Sequence, residues 1–290
     1  MVLQVKNVKK YFSVKKGVFG YGRKTVRAVD DVSLTIDKGD CLCLVGESGS
    51  GKTTLARIIM RLLQPSEGQV IFNGQDITKL RQKKLADFRR SVQMVFQDPY
   101  SSLDPRFSVR NIIKEGMTLA QGKYASEQAK ELRVQELIKA VGLNQDMLLR
   151  YPHEFSGGER QRIAIARALA LNPQLLLLDE AVSSLDILIQ EQLLGLLKDL
   201  QKQFDLTYVF ITHNLRVVRK FGTKIAVMYR GKIVEYAGAR EIFDNPLHSY
   251  TKELLSAAID YKTVERSEEI KVSPRARLVD QGGGHFVINE

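Results

Sequence analysis

The stretch CLCLVGESGSGKTTLA, residues 41–56, contains the pattern that decides the fold. An apolar run over Cys41–Val45 stops at Gly46, where a loop rich in glycine and serine begins. From Thr53 onward the spacing of apolar residues is that of a helix. Since glycine interrupts both kinds of regular structure, the sequence predicts a strand, a loop and a helix in that order.

The loop matches the pattern G-x-x-x-x-G-K-[ST] of phosphate-binding loops. The matched positions are Gly46, Gly51, Lys52 and Thr53. Glycines let several backbone N–H groups turn toward one set of anionic oxygens, and the helix N-terminus adds further donors and partial positive charge. A lysine at this place can reach the β- and γ-phosphates, and a threonine hydroxyl can ligate Mg²⁺. Because four positions can match by chance, the prediction also depends on the strand and helix around them.

The composition indicates the broad class of protein. Of the 290 residues, 44% are hydrophobic and 27% are charged, as in ordinary soluble globular proteins. The chain contains no apolar run of about eighteen residues and no apolar N-terminal signal segment. We therefore expect a cytosolic protein. Cys41 and Cys43 lie on one predicted strand without a second pair, which favours buried side chains over a metal site.

The net charge of +11 allows three interpretations. Basic residues are concentrated in residues 1–29 and 79–90, where they could form solvated surfaces. They could also attract anionic lipid headgroups. Nucleic acid is the least favoured partner, because no recognition helix, zinc finger or aromatic stacking pattern accompanies the charge. We expect no nucleic-acid partner.

The rest of the chain alternates between strand and helix patterns. Residues 2–12 and 26–36 read as strands joined by a loop over 13–24, and Asn73-Gly74 predicts a hairpin turn. Residues 98–155 lack strand alternation and are interpreted as a helical insertion, whereas 262–290 are predicted to be loosely structured.

Three further stretches place polar side chains at the ends of predicted elements. Gly157 and Gly158 precede a helix and predict a second anion site. A continuous apolar strand before Asp179 and Glu180 brings both carboxylates to an edge where α/β sheets bind ligands. His213 follows another buried strand; it could be a structural histidine, but its position favours a contact with the γ-phosphate.

Six motifs in this order resemble those of the ATP-binding cassette (ABC) ATPases. They are GESGSGKTT at 46–54, VFQDP at 95–99, FSGGERQR at 155–162, LLLLDE at 175–180, SSLD at 183–186 and FITHN at 210–214. The resemblance implies an α/β fold with a P-loop NTPase (RecA-like) core, an antiparallel β subdomain and an inserted α-helical subdomain at about 98–155. It implies a cassette over 1–240 and a C-terminal extension over 241–290.

Flanking stretches suggest a subfamily. KYFSVKKGVFG at 10–20, QDPYSSLDPR at 97–106 and NPLHSYTKELLSA at 245–257 look like the ATPase subunits of oligopeptide, dipeptide and nickel importers. The resemblance implies ATP hydrolysis that powers import of oligopeptides or dipeptides, with this chain as the second ATPase of a pair. Nickel or oligosaccharide uptake is an alternative, and a soluble ABC ATPase in DNA repair or translation is a more distant one.

The resemblance also implies a role for individual residues. Phe12, or its neighbour Tyr11, stacks on adenine. The phosphates are held by Gly46, Glu47, Ser48, Gly49, Ser50, Gly51, Lys52, Thr53 and Thr54. Mg²⁺ is bound by Thr53, Gln97 and Asp179. The catalytic residues are Glu180, which polarises the attacking water, and Lys52, Gln97 and His213. Ser156, Gly157 and Gly158 close over an ATP molecule held by a partner cassette.

The expected partners follow from the same resemblance. The cassette is expected to form a head-to-tail dimer with a paralogous ATPase subunit or with a second copy of itself. Two transmembrane permease subunits and an extracytoplasmic solute-binding protein complete the implied transporter. The chain is then peripheral, at the cytoplasmic face of the cell membrane.

Overall fold

The computed structural model describes residues 1–15, 23–96, 98, 102–117, 124, 126–183, 185–260, 272–273 and 276–289. The chain divides into two compact units. The first unit consists of Met1–Leu80 and Phe210–Glu290, and the second of Arg81–Val209. The domain boundaries expected from the sequence, at about 98, 155 and 240, stay predictions.

The described residues form both strands and helices. The strands are β1 (Leu3–Lys15), β2 (Arg23–Ile36), β3 (Cys41–Val45), β4 (Glu67–Phe72), β5 (Gln75–Asp76), β6 (Val92–Val95), β7 (Leu175–Asp179), β8 (Thr207–Ile211), β9 (Lys224–Tyr229), β10 (Lys232–Gly238), β11 (Leu278–Asp280) and β12 (Phe286–Ile288). The helices are α1 (Lys52–Ile59), α2 (Gln82–Ser91), α3 (Val109–Met117), α4 (Glu127–Ala140), α5 (Gly157–Leu169), α6 (Ile187–Phe204), α7 (Leu215–Phe221), α8 (Ala239–Asp244) and α9 (Ser249–Asp260). No described helix is both long and apolar enough to cross a membrane.

The first unit contains an antiparallel sheet with the strand order β2-β1-β4-β5. Alternate residues of β1 and β2, such as Leu3, Val5 and Leu34, are buried, so one face of this sheet supplies core. The two strands pair as far as Lys15 and Arg23. The loop predicted over 13–24 is therefore wrong at both ends, because backbone pairing continues beyond the residues that bury apolar side chains.

A second sheet in the first unit has the order β11-β12-β10-β9-β3, and the end of β8 follows β3. Strand β3 is buried throughout and runs parallel to β9. Its Cys41 and Cys43 are free and buried, which confirms the prediction that both side chains are buried. Strand β12 pairs with β11 on one side and with β10 on the other, so the prediction of loose structure is wrong for these residues. Backbone pairing with β10 and burial of Ile288 stabilise this segment.

The second unit combines parallel strands with the helices expected between 98 and 155. Strands β6 and β7 pair in parallel from Val92 and Leu175 onward, and the N–H of Thr207, at the start of β8, donates to the carbonyl oxygen of Gln174. The side chains of Val134, Leu137 and Ile138, at helical spacing in α4, are buried, and Gly142 follows that helix at a φ of 70°. Helix α2 was not predicted because the segment is mostly polar; among its described side chains, Leu85 and Phe88 are the buried ones.

Candidate functional site

The phosphate-binding loop begins where β3 ends. Gly46 has a φ of 144°, and a Cβ atom there would lie 2.1 Å from the carbonyl oxygen of Met228. Gly51 has a φ of 109°, and a Cβ atom there would lie 2.2 Å from the carbonyl oxygen of Ala28. Only glycine fits both the backbone angle and the space at these two positions. The loop is therefore shaped by close backbone packing in the first unit.

The side chain of Lys52 lies inside this loop. Its Nζ donates to the carbonyl oxygens of Gly46 and Glu47, each at 2.7 Å, and to the Ser50 hydroxyl at 3.3 Å. Lys52 is 7% exposed. Its ammonium group is therefore buried, and oxygen atoms of the loop itself hold it. A phosphate group offers the same type of acceptor with more negative charge, and the arrangement can therefore exchange loop oxygens for phosphate oxygens.

The loop also presents backbone and hydroxyl groups to solvent. Glu47, Ser48 and Gly49 are exposed, Thr53 is exposed, and Thr54 is half-buried in the first turn of α1. This first turn contains no acidic residue, so nothing acidic in it opposes the positive end of the helix dipole. A polyphosphate fits this arrangement of a buried lysine, a glycine-rich loop and a helix start without a side-chain cap.

His213 lies at the end of β8 in the same unit. The N–H of Thr212 donates to the carbonyl oxygen of Leu44 at 3.3 Å, two residues before Gly46. His213 itself is exposed, and the side chain of Asn214 caps the following helix α7. The end of β8 therefore lies beside the end of β3, where the phosphate loop starts.

The structure distinguishes Tyr11 from Phe12 on β1. The Tyr11 hydroxyl donates to Oδ1 of Asp30 at 2.6 Å, and Arg27 lies over the ring at 5.7 Å. Burial and this hydrogen bond raise the pKa of Tyr11 to about 12. Phe12 is 38% exposed, with the ammonium of Lys10 5.3 Å from the ring centroid. Phe12 is therefore the more accessible of the two rings.

In the second unit, Asp179 is the last residue of the buried strand β7 and Glu180 follows it, at the strand end predicted from the sequence. Asp179 is 8% exposed. Glu180 is half-buried and has a φ of 48°, a backbone conformation that residues other than glycine rarely adopt. Its carbonyl oxygen accepts from the Ser183 N–H at 3.0 Å and from the Ser183 hydroxyl at 2.8 Å. This turn holds the unusual backbone angle of Glu180, as active-site residues often require.

The predicted second anion site is the N-terminus of α5. Ser156 is its N-cap residue: the hydroxyl accepts from the Glu159 N–H at 3.4 Å and donates to the Glu159 carboxylate at 2.8 Å. The same carboxylate accepts from the Ser156 N–H at 2.8 Å, which completes a capping box. These bonds lower the pKa of Glu159. A Cβ atom on Gly158 would lie 2.6 Å from Ile189, whereas one on Gly157 would make an ordinary contact with Leu185.

Two residues complete the comparison with the sequence predictions. Gln97 lies outside the described residues. Tyr250, which was not predicted as a site residue, accepts a hydrogen bond at its hydroxyl from the Glu47 N–H at 3.0 Å. The only sequence indication was its place in the stretch at 245–257, whose contact with the loop depends on tertiary packing.

Comparison with known proteins identifies the family. The sequence profile described as "ABC transporter" matches residues 29–183. Two relatives from Bacillus subtilis (strain 168) are the oligopeptide transport ATP-binding proteins AppF and OppF. AppF is 50% identical over 257 residues, covering 88% of this chain and 78% of AppF, and OppF is 49% identical over 257 residues, covering 88% and 82%. The dimeric ATP-binding cassette MJ0796, solved in a post-hydrolysis state with ADP and Pi, is 32% identical with a TM-score of 0.70, covering 82% of this chain and 99% of that one. The chain belongs to the ABC transporter family.

Proposed function

We propose that this chain binds and hydrolyses ATP to power the import of oligopeptides or dipeptides. The observation that carries the proposal is the buried ammonium of Lys52, held by three oxygen atoms inside a glycine cradle. The oligopeptide transport names of AppF and OppF, at about half identity over most of the chain, support the substrate class.

ATP binding follows from the first unit. The loop of residues 46–54 holds the phosphates through backbone N–H groups other than that of Glu47, which donates to Tyr250, and Lys52 turns from its loop carbonyls to the β- and γ-phosphates. Phe12 stacks on adenine, a role that its exposed ring supports better than the ring of Tyr11, whose hydroxyl is bonded to Asp30.

We place the metal ligands on Thr53, Asp179 and Gln97, as the family resemblance implies. Among the described residues, no cluster of three or more His, Cys, Asp or Glu could hold a metal. Mg²⁺ usually keeps several waters and takes phosphate oxygens as ligands. A bound Mg²⁺ supplies stabilisation of the negative charge on the phosphates.

Hydrolysis is assigned to Glu180 and His213. Glu180 accepts a proton from the attacking water as its general base, and the turn through Ser183 keeps its backbone in place for this task. His213 contacts the γ-phosphate from the end of β8. A general base of this kind contributes about 10²- to 10⁴-fold to the rate.

The complete site needs two cassettes. Ser156, Gly157 and Gly158 offer a helix N-terminus to the γ-phosphate of an ATP held by the opposite cassette, either a paralogous subunit or a second copy. The dimeric state of MJ0796 supports this arrangement. Hydrolysis removes the shared anion, so the pair opens and drives two permease subunits at the cytoplasmic face of the membrane. An extracytoplasmic solute-binding protein delivers the peptide.

The variant Glu180→Gln tests this function. It removes the proposed base but keeps the size of the side chain. We expect the purified variant to bind ATP normally while turnover falls at least about 100-fold. Cells with this variant as their only copy should lose uptake of a labelled tetrapeptide, whereas their uptake of nickel and oligosaccharide should not change.

Glu127→Gln is the matched control in the same unit. Glu127 is 71% exposed and forms surface ion pairs with Lys114 and Lys130, which contribute little to stability. This control should keep both activities. Unchanged ATP turnover in Glu180→Gln contradicts the assignment of the base. Loss of nickel or oligosaccharide uptake with retained peptide uptake contradicts the proposed substrate class.

A further inference from the structure

One peptide group in the phosphate loop, the group between Gly46 and Glu47, is held from both sides. Its carbonyl oxygen, on Gly46, accepts from Nζ of Lys52 at 2.7 Å. Its N–H, on Glu47, donates to the Tyr250 hydroxyl at 3.0 Å. All these residues belong to the first unit. The orientation of this peptide plane therefore depends on one side chain of the loop and one from the C-terminal part of the chain.

Tyr250 is itself fixed in place. It is 3% exposed, and its ring centroid lies 4.4 Å from that of Tyr229. Its N–H donates to Nδ1 of His248 at 3.0 Å, at the start of α9. A buried tyrosine with ring and backbone both held has little freedom to move its hydroxyl away from the loop.

The buried carboxylate of Glu235 anchors the segment that contains Tyr250. Glu235 on β10 is 0% exposed, and its two oxygens accept from the N–H groups of Leu247 at 2.8 Å and His248 at 3.0 Å. Nε2 of His285, which precedes β12, lies 2.7 Å from the same carboxylate. Such charge-assisted hydrogen bonds are stronger than neutral ones. Two separate parts of the C-terminal chain are thus attached to β10.

We propose that Tyr250 is a positioning residue for nucleotide binding, a role that rests on the proposed ATPase function. When Lys52 turns to the phosphates, it leaves the Gly46 carbonyl, and the hydrogen bond from Glu47 to Tyr250 keeps the peptide plane in orientation. The peptide needs such a restraint because Gly46, without a Cβ atom and with a φ of 144°, resists rotation less than other residues. The C-terminal extension is then part of the ATP site.

The variant Tyr250→Phe tests this role, since it keeps the ring and removes the hydroxyl. We expect the Kd for ATP and for ADP, both with Mg²⁺, to rise threefold to tenfold, which corresponds to about 0.7 to 1.4 kcal/mol for one hydrogen bond. The KM for ATP should rise by the same factor while kcat changes less than about twofold, because the hydroxyl acts on binding and not on the reacting atoms. Calorimetric titration and steady-state kinetics on the full chain measure these values.

Tyr236→Phe is the matched control. The Tyr236 hydroxyl is also bonded to the backbone of the first unit, donating to the Thr35 carbonyl at 2.7 Å, and its ring packs against Phe286. Both variants should lose similar stability in a thermal melt, but only Tyr250→Phe should weaken nucleotide binding. Equal nucleotide affinity in the two variants overturns the positioning role and leaves the proposed function intact. A wild-type chain that binds no ATP overturns the proposed function itself.

Hydrogen exchange on the wild-type chain gives a test that does not depend on how a variant folds. The Glu47 amide should exchange slowly without nucleotide and also with bound ATP, because the Tyr250 bond persists in both states. Rapid exchange of this amide in the ATP-bound chain contradicts the proposal.

Discussion

The starts of helices α1 and α5 both contain glycine, and they are held in different ways. The phosphate loop has Gly46 and Gly51 at positive φ, each packed directly against backbone from another part of the first unit. The start of α5 in the second unit, where Gly157 and Gly158 are the first two helical residues, is held by a capping box between Ser156 and Glu159, three residues apart. The conformation of the phosphate loop therefore depends on tertiary packing, whereas that of the start of α5 depends on local sequence. Both expose helix N-termini, but a change of side chain should affect them to different extents.

The largest effect is expected for Gly51→Ala. The new Cβ atom would lie 2.2 Å from the Ala28 carbonyl oxygen at a φ of 109°, so both the backbone and its neighbour must shift. We expect a loss of about 3 kcal/mol or more in the free energy of unfolding, together with loss of ATP binding. Urea denaturation and nucleotide titration measure the two effects.

Gly74→Ala is the control for backbone angle alone. Gly74 has a φ of 77° in the turn between β4 and β5, and a Cβ atom there meets nothing within 4 Å. This variant should lose only about 1 to 2 kcal/mol. If the two alanine variants lose equal stability, close packing does not shape the loop.

A smaller effect is expected for Ser156→Ala at the start of α5, which local hydrogen bonds hold in place. Loss of the N-cap hydroxyl should lower the free energy of unfolding by about 1 kcal/mol. ATP turnover by the assembled dimer should fall as well, because Ser156 is proposed to face the partner's nucleotide. Denaturation and ATPase assays on the same preparation separate the two losses.

Ser126→Ala provides the comparison for this prediction. Ser126 caps α4 in the same unit by accepting from the Ala129 N–H at 3.1 Å. Its loss should reduce stability by a similar amount and leave ATP turnover unchanged. Equal turnover in the two variants would mean that Ser156 acts only as a helix cap.

The smallest effect is a pH dependence of the capping box. The Ser156 N–H and hydroxyl lower the pKa of the Glu159 carboxylate below its ordinary value of 4.5. Its contribution to stability is therefore present above about pH 4.5 and is lost as pH falls through the lower folded pKa. The difference in unfolding free energy between wild type and Glu159→Gln should shrink from pH 6 to pH 3.5. A difference that grows with acidity contradicts this assignment.

The predictability of each feature depended on how far apart its parts lie in the sequence. The strand, loop and helix at 41–56 were predicted because spacing and residue type lie within one short segment. The buried strand that ends at Asp179 was predicted for the same reason. Helix α2 was not predicted because its sequence is mostly polar. The β11–β12 hairpin was not predicted because its stability depends on pairing with the distant strand β10. The difference in accessibility between the rings of Tyr11 and Phe12 could not be predicted, because it depends on the hydrogen bond from Tyr11 to Asp30, nineteen residues away.

The sequence by itself determined the chemical groups of this protein and the local structure around them. These groups are the phosphate loop, the carboxylates at the end of a buried strand, and the serine that caps α5. These follow from interactions among residues a few positions apart, which a sequence pattern records. The tertiary structure decided which aromatic ring is accessible, which carbonyl oxygens surround Lys52 and how Tyr250 reaches an amide 203 residues away. Such contacts depend on how distant strands and helices pack, and packing leaves no fixed spacing in a single sequence.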